Sequence, residues 1–367
     1  MKLIHVCTSA DFSGVRRFPV DLACRLQAAG ASCYLMAPLH DCERPLRETG
    51  VVSVQESMRG GWGWLAAARH LREGIRKVRP DVIQVYDTRG AWTARLACLG
   101  MRAAQCPAVV AALPGFRFGG CMARAALRSC RAIAVISGYL RSRLEQSGMI
   151  PSGKSVSVIP YGVDEKLVYP GYTPSQNWQL CWQRAQSPAA GELSLCLPAP
   201  ISPAYGAEQL VPVLCHLRDK GVRARVYLVG DTSRARPAYL EYLRQLFAKA
   251  GLDENIAWPG ARTDLRDILA TCRVTLSLAR EPMAYNRAVL EALALGRPVV
   301  GFAVGSVGEY LDSFYPAGRV QPGDTEEFAQ VLLRCCSSPA PSLASIPYPY
   351  TLSNTAQSFL ELYRQFV

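Results

Sequence analysis

The sequence predicts an α/β fold made of two doubly wound parallel sheets. Segments typical of strands and of helices alternate along the whole chain, which is the pattern of repeated βαβ units. Some strand segments are apolar throughout, as in residues 298–302, and such runs are typical of strands buried on both faces of a parallel sheet. The 367 residues suffice for two domains that each bury a core.

The first half of the chain contains a regular alternation that ends in the run IPYGVD at 159–164. Short apolar runs bounded by turn residues predict strands, and segments with a helical apolar period predict helices. We expect strands at 3–7, 32–37, 82–86, 108–112, 132–136 and 156–159, and helices at 18–28, 64–78, 90–101 and 123–129.

A change in composition separates this half from the next. Residues 173–192 lose strong periodicity and collect Pro, Gln, Ser and Gly, so they are predicted to be a linker or an insertion. The predicted domains are therefore residues 1–172 and 193–350, followed by a C-terminal helix at 351–367. In the second half we expect strands at 193–198, 225–229, 256–258, 274–278 and 298–302, and helices at 207–220, 238–250, 265–270, 326–335 and 354–366, with one more helix ending at Gly296.

Bulk composition excludes several classes of protein. No run of eighteen uncharged apolar residues is present, and residues 1–6 read as a first buried strand rather than a signal peptide. The 14 cysteines include no C-x-x-C pair and do not cluster with the four histidines. Reduced, buried thiols in the cytosol are the expected state, and structural zinc is not expected.

The net charge of +12 is distributed unevenly. Residues 1–172 carry 23 Lys and Arg against 12 Asp and Glu, whereas residues 173–367 carry 18 against 17. This asymmetry indicates an anionic partner for the first half. No helix-turn-helix, zinc-finger or RNP-like pattern supports nucleic acid, and tryptophans beside basic residues favour an anionic membrane surface. Ordinary solvated helix faces are the alternative interpretation of the two basic clusters, which are Arg69, Arg72, Arg76, Lys77 and Arg79, and Arg124, Arg128, Arg131, Arg141 and Arg143.

The most specific stretch of the sequence is SLAREPMAYNRAVLEALALGRPVVGFAVGSVGEYL at 277–311. It reads as a turn, a helix that stops at Gly296, a buried strand and a second turn containing Gly305 and Gly308. This stretch resembles the signature of retaining GT-B glycosyltransferases of family 4. The run at 159–164 resembles the segment where the first domain of that family meets the second, and residues 9–30 resemble its first loop and helix.

The resemblance implies two Rossmann-like domains that face each other across a cleft, with a last helix that crosses back to the first domain. It implies a hexosyltransferase that takes its sugar from a nucleotide-sugar, which is a substrate rather than a cofactor, and that needs no metal. It also implies donor-binding roles for Gly14, Glu291, Gly305, Ser306 and Val307. Glu291 matches the glutamate that holds the ribose hydroxyls, and the glycines let backbone N–H groups approach an anion.

Four positions depart from the family pattern. Met283 replaces the glutamate that touches the transferred sugar, and Pro114 replaces the histidine near it. Pro200 and Tyr205 replace the arginine and lysine that stabilise the leaving diphosphate, so two charge-assisted contacts, each worth about 1.5–3 kcal/mol, are missing. Candidate replacement cations are found elsewhere in the sequence: Arg117, Arg262, Arg280 and Arg287.

Two hypotheses follow. In the first, the chain transfers a sugar to a cell-envelope glycan or lipid-linked acceptor, in lipopolysaccharide or exopolysaccharide synthesis. In the second, it is a catalytically degenerate GT-B protein that binds a ligand or a protein partner as a scaffold or regulator. Either protein is expected in the cytoplasm or on the inner face of the cytoplasmic membrane, and not on nucleic acid.

Overall fold

Two parallel sheets organise the chain, one in each of its two structural units. The computed structural model describes residues 1–7, 17–38, 43–55, 63–102, 105–115, 120–186, 191–233, 235–337 and 350–367. The N-terminal unit consists of Met1–Asp164 and Pro349–Val367, and the C-terminal unit consists of Glu165–Tyr348. The two doubly wound sheets predicted from the sequence are confirmed.

The N-terminal unit contains a seven-stranded sheet in the order β3-β2-β1-β4-β5-β6-β7 within the described residues. All neighbouring strands run parallel. Its central strands are buried, so both faces need a helical layer. The strands are β1 (Lys2–Val6), β2 (Ser32–Ala37), β3 (Val52–Gln55), β4 (Val82–Val85), β5 (Ala108–Leu113), β6 (Ala132–Val135) and β7 (Val156–Val158).

Helices cover this sheet on two faces. Right-handed crossovers place the helices that follow β1 and β2 on one face and those that follow β3 to β6 on the other. Accordingly α1 packs on α2, whereas α4 packs on both α3 and α5. The helices are α1 (Phe18–Ala28), α2 (Glu43–Thr49), α3 (Gly63–Val78), α4 (Thr88–Cys98), α5 (Gly120–Ser129) and α6 (Gly138–Gln146).

The C-terminal unit repeats this plan with a six-stranded parallel sheet in the order β10-β9-β8-β11-β12-β13, counted over the described part of the chain. The strands are β8 (Leu193–Pro198), β9 (Ala224–Val229), β10 (Ile256–Ala257), β11 (Val274–Ser277), β12 (Val299–Phe302) and β13 (Arg319–Val320). The helices are α7 (Gln176–Gln186), α8 (Leu210–Asp219), α9 (Pro237–Lys249), α10 (Leu265–Thr271), α11 (Arg287–Ala294), α12 (Ser306–Phe314) and α13 (Thr325–Ser337).

The last helix, α14 (Leu352–Arg364), belongs to the N-terminal unit and packs against α1. Its entry is tied to the IPYGVD run, because Val163 N–H donates to Tyr350 O at 2.8 Å and Leu352 N–H donates to Val163 O at 2.9 Å. A side chain at Gly162 would meet the Thr351 backbone at 2.2 Å, so only glycine fits there. The expected return of the C-terminal helix to the first domain is confirmed.

The region predicted as a linker differs from that expectation. Residues Gln176–Gln186 form α7, and the boundary between the units lies at Asp164 and Glu165 instead of residue 172. Trp182 is buried against Tyr227 of β9, with ring centroids 5.0 Å apart, so α7 is part of the C-terminal unit. The polar composition of α7 hides a helix whose one buried anchor is an aromatic ring.

No helix within the described ranges combines the length and the apolar character needed to cross a bilayer.

Candidate functional site

The C-terminal unit has a cavity at the point where its strand order reverses. β8 and β11 are neighbours although nearly eighty residues separate them, and ligands of doubly wound sheets bind outside the carboxyl ends of such a strand pair. A cavity of about 380 Å³ lies there, lined by Gln209, Ala279, Arg280, Phe302, Pro322 and Gly323. These residues follow β8, β11 and β13 or end β12. The carboxyl edge of this sheet is therefore the candidate site.

Glu291 is a buried carboxylate in the middle of α11. Asn286 caps the helix by accepting from Val289 N–H at 3.2 Å, and the apolar residues around Glu291 pack the helix into the unit. The Glu291 side chain is only 7% exposed, and Arg287 Nε donates to its Oε1 at 2.7 Å. Within the described residues Oε2 accepts no hydrogen bond. Glu291 can therefore accept a hydroxyl hydrogen bond from a ligand while Arg287 holds it.

The glycine turn before α12 packs on the backbone of Met283. Gly305 has φ of +59°, and a Cβ there would lie 2.5 Å from Met283 O and 2.6 Å from Met283 N. Ser306 N–H donates to Met283 O at 2.9 Å, and Val307 N–H donates to Val304 O at 3.3 Å. Two of the N–H groups predicted to face an anion are thus used within the turn. Donor contact by Gly305, Ser306 and Val307 stays a prediction.

Ser306 nevertheless offers one polar group. Its side chain is fully buried and its Oγ has no hydrogen-bond partner among the described residues. A buried hydroxyl without a partner is unfavourable, so Oγ is suited to a water molecule or a ligand at the first turn of α12.

Pro200 and Tyr205 lie after β8 in the segment that resembles the family's cation-bearing loop. Pro200 is exposed, and Tyr205 ends a 3-10 turn, Pro203–Tyr205, where burial raises the pKa of its phenol. Gly206 follows with φ of +67°, and a Cβ there would lie 2.1 Å from Leu278 O, at the end of β11. The loop after β8 therefore lies against the loop after β11, and it brings no cation of its own.

Arg280 follows β11 and contacts the loop after β8. Its backbone N–H donates to Ala204 O at 2.9 Å, and its Cγ lies 3.1 Å from the position a Cβ of Gly206 would take. Arg280 Nη1 donates to Glu208 Oε1 at 2.9 Å, while the hydroxyl of Tyr239 donates to Glu208 Oε2 at 2.7 Å. Burial, with the Glu208 hydrogen bond second, raises the pKa of Tyr239. Arg280 itself is 60% exposed at the cavity.

Two further arginines proposed from the sequence are held elsewhere. Arg262 forms a two-pronged pair with Asp264, at 2.8 and 2.7 Å, and that pair lowers the pKa of Asp264. The same carboxylate accepts from Trp178 Nε1 of α7 at 2.6 Å, so Arg262 belongs to the contact between α7 and the loop after β10. Arg287 is bound to Glu291, as described above.

The N-terminal unit shows only part of its predicted site. Pro114 follows β5 and is half-buried beside Gly115. Gly14 and Arg117 lie outside the described residues. No group of three or more His, Cys, Asp or Glu side chains suited to a metal ion is found among the residues that the structure describes.

Sequence reasoning did not place Arg280 beside Gly206, nor the cavity next to it. The contacts join residues after two different strands, so no local spacing reveals them. The sequence signal for this contact was the glycine at 206, because glycine readily adopts the positive φ that the structure shows there.

Two family models match the chain. Residues 12–167 match the model described as Glycosyltransferase Family 4, and residues 197–338 match the model described as Glycosyl transferases group 1. No curated protein matches the sequence of this chain.

Solved structures share the fold over the whole chain. A glycosyltransferase from Rickettsia africae ESF-5 is 19% identical, with a TM-score of 0.83 over 99% of this chain and 98% of its own. Anabaena Alr3699/HepE in complex with UDP is 18% identical, with a TM-score of 0.81 and full coverage of both chains. The lipopolysaccharide outer core galactosyltransferase WaaB is 13% identical, with a TM-score of 0.72 and 100% of both chains covered. The fold is therefore GT-B.

Proposed function

We propose that this chain, a GT-B glycosyltransferase by its two domains, transfers a hexose from a nucleotide-sugar to a cell-envelope glycan or lipid-linked acceptor with retention of configuration. The observation that carries the proposal is the buried carboxylate of Glu291, held by Arg287 and with Oε2 free of partners in the described residues. Two hydroxyls on a five-membered sugar ring are natural donors to such a carboxylate.

The structural relatives support a nucleotide-sugar donor. The Anabaena protein is described in complex with UDP, with UDP and glucose, and with UDP-glucose. WaaB is named as a lipopolysaccharide outer core galactosyltransferase, and WaaG as a glycosyltransferase involved in lipopolysaccharide biosynthesis. An envelope acceptor is proposed by analogy with these two proteins. The nucleotide-sugar is a substrate rather than a cofactor, and the metal-free reaction is proposed from the family resemblance.

Donor binding is testable by calorimetry with UDP-, GDP-, ADP- and CMP-sugars. We expect one of them to bind, and Glu291→Gln to weaken that binding about 10- to 100-fold, since hydrogen bonds to a charged group contribute about 1.5–3 kcal/mol. Glu241→Gln on the exposed face of α9 is the matched control and should bind like the wild type. If the folded wild-type protein binds none of these donors at millimolar concentration, the proposed enzymatic function is refuted.

The second candidate is the degenerate GT-B protein that binds a ligand or a protein partner without transfer. It is favoured by the neutral side chains of Pro114, Pro200, Tyr205 and Met283 at positions where the resemblance implies histidine, arginine, lysine and glutamate. Tight donor binding without hydrolysis or transfer, tested against envelope glycan and lipid-linked acceptors, would support this candidate.

An anionic membrane surface is the proposed partner of the N-terminal unit, which would place the protein on the inner face of the cytoplasmic membrane. The adjacent helices α3, α4 and α5 carry eight arginines and lysines and one acidic residue, Glu73. Between them Leu99 and Met122 are 67% and 60% exposed, and Arg95 lies 5.0 Å over the ring of Trp92. Basic side chains around exposed apolar ones suit the headgroup region of an anionic bilayer.

Vesicle sedimentation tests this partner. Vesicles with phosphatidylglycerol should bind the protein at low salt and release it near 0.5 M salt, and vesicles of phosphatidylcholine alone should not bind it. The double substitution Arg124→Glu and Arg128→Glu on α5 should abolish binding, whereas Arg244→Glu on α9 should preserve it. Binding that is independent of both salt and lipid charge would contradict the proposal.

A further inference from the structure

Arg280 is the one arginine among the sequence-derived candidates that lies at the reversal point of the C-terminal sheet within the described residues. Arg262 is held by Asp264 beside α7, and Arg287 is held by Glu291 inside α11. Arg280 follows β11 directly and lines the cavity between the carboxyl ends of β8 and β11. Its place in the topology is therefore the place where a doubly wound sheet binds its ligand.

The surroundings of Arg280 hold it in an outward orientation. Glu208 Oε1 accepts a hydrogen bond from Arg280 Nη1, and Glu208 Oε2 accepts one from the Tyr239 hydroxyl. The Glu208 side chain is 15% exposed and that of Arg280 is 60% exposed, so the carboxylate lies behind the guanidinium and the guanidinium meets solvent. Arginine has five N–H donors, and within the described residues the others make no protein hydrogen bond.

The loop after β8 packs directly against the stem of the Arg280 side chain. A Cβ at Gly206 would lie 2.1 Å from Leu278 O and 3.1 Å from Arg280 Cγ, so the glycine lets the stem lie on this loop while Arg280 lines the cavity. Gln209 lines the same cavity just before α8, and its side-chain Nε2 donates to Leu278 O at 3.2 Å. A planar guanidinium with free N–H donors at a concave site is suited to phosphate oxygens.

We propose that Arg280 binds the diphosphate of the nucleotide-sugar donor and replaces the two cations absent at Pro200 and Tyr205. This inference rests on the proposed function, because it assigns a residue to the donor named there. Arg280 would stabilise the negative charge that develops on the leaving diphosphate, while Glu208 and Tyr239 position its guanidinium. The contact is to phosphate oxygens and involves no covalent step.

Calorimetry separates the diphosphate contact from the rest of the donor. The wild type, Arg280→Gln and the control Arg244→Gln are titrated with UDP, GDP, ADP and CDP, and the tightest binder is then compared with its own nucleoside. Arg280→Gln should weaken nucleoside diphosphate binding about 10- to 100-fold and change nucleoside binding less than about twofold. Arg244→Gln should change neither, and thermal melting confirms that each variant is folded.

The titrations distinguish failure of the role of Arg280 from failure of the proposed donor. If the wild type binds a nucleoside diphosphate and Arg280→Gln binds it equally well, the role of Arg280 is refuted and the proposed donor stands. If Arg280→Gln weakens the nucleoside as much as the diphosphate, the residue does not act on phosphate and the inference also falls. If the folded wild type binds none of the diphosphates, the inference falls, and the proposed function then stands only if the wild type binds a CMP-sugar, whose single phosphate these titrations do not sample.

Discussion

Two buried threonines, Thr355 and Thr275, should respond in opposite directions to the same substitution by valine. Thr355 lies on α14 in the N-terminal unit and Thr275 lies on β11 in the C-terminal unit, 3% and 0% exposed. Valine has nearly the shape of threonine, so the substitution removes a hydroxyl and little packing. The difference between the two sites is therefore one of hydrogen bonding.

The Thr355 hydroxyl joins α14 to the IPYGVD run. It accepts from Gly162 N–H at 3.0 Å, and its hydrogen is shared between Pro160 O at 2.7 Å and Thr351 O at 2.9 Å. Thr355→Val removes about two hydrogen bonds of about 1 kcal/mol each and leaves the buried Gly162 N–H unpaired, at a further cost of about 1–3 kcal/mol. We expect a loss of about 3–5 kcal/mol in the free energy of unfolding of the N-terminal unit.

The Thr275 hydroxyl has no hydrogen-bond partner among the described residues. Thr275→Val removes this unpaired buried oxygen and places a β-branched apolar residue in a central strand, so we expect a gain of about 1–2 kcal/mol in the C-terminal unit. Urea titration followed by hydrogen exchange, which reports on each unit separately, measures both changes. Destabilisation by Thr275→Val, or a neutral Thr355→Val, would refute the assignment of these hydrogen bonds.

Three further substitutions test the site and the core. Gly305→Ala should lower the melting temperature more than Gly221→Ala does. Both glycines have positive φ, but only at Gly305 would a Cβ meet the Met283 backbone. Equal shifts of the melting temperature would contradict this prediction. Burial lowers the pKa of His5 from 6.5 to about 3. The unfolded chain therefore binds a proton first as the pH falls below 6.5, and the free energy of unfolding decreases by about 2 kcal/mol at pH 5. His5→Asn should remove that part of the difference between urea titrations at pH 8 and pH 5, and an unchanged difference would exclude His5 as its source. Trp178→Phe should lower the free energy of unfolding by about 1.5–3 kcal/mol, because it removes the charge-assisted hydrogen bond to Asp264. An unchanged free energy of unfolding would show that aromatic packing, and not this hydrogen bond, stabilises α7.

The elements that the sequence predicted are those whose signal is local. β12 is apolar throughout and the helix before it is rich in strong helix formers, so both were recognisable. The missed elements have weak local signals. α12 contains Gly308 in its first turn, β13 has two residues, and α7 is largely polar and buries only Trp182, which stacks on Trp178. Their stability comes from contacts with distant parts of the chain, which periodicity does not encode.

The candidate site divides in the same way. Glu291 was singled out because it lies inside a continuous motif, and the structure shows it buried and paired with Arg287, whereas its donor-binding role stays a prediction. Arg280 was one of four arginines that the sequence did not distinguish. Its position depends on the pairing of β8 with β11 and on the approach of Gly206 to Leu278, both set by the tertiary fold.

Met283 supports the glycine turn through its main chain rather than through its side chain. The contacts that Met283 makes to the glycine turn are main-chain contacts: its carbonyl accepts from Ser306 N–H, and its backbone lies against Gly305. Any residue with the same backbone conformation supplies them, so replacing a carboxylate by a thioether there leaves the turn and α12 in place. At Gly305 the reverse holds, because the missing side chain is itself the requirement. The packing of this turn therefore requires the glycine at 305, whereas it places no requirement on the side chain at 283.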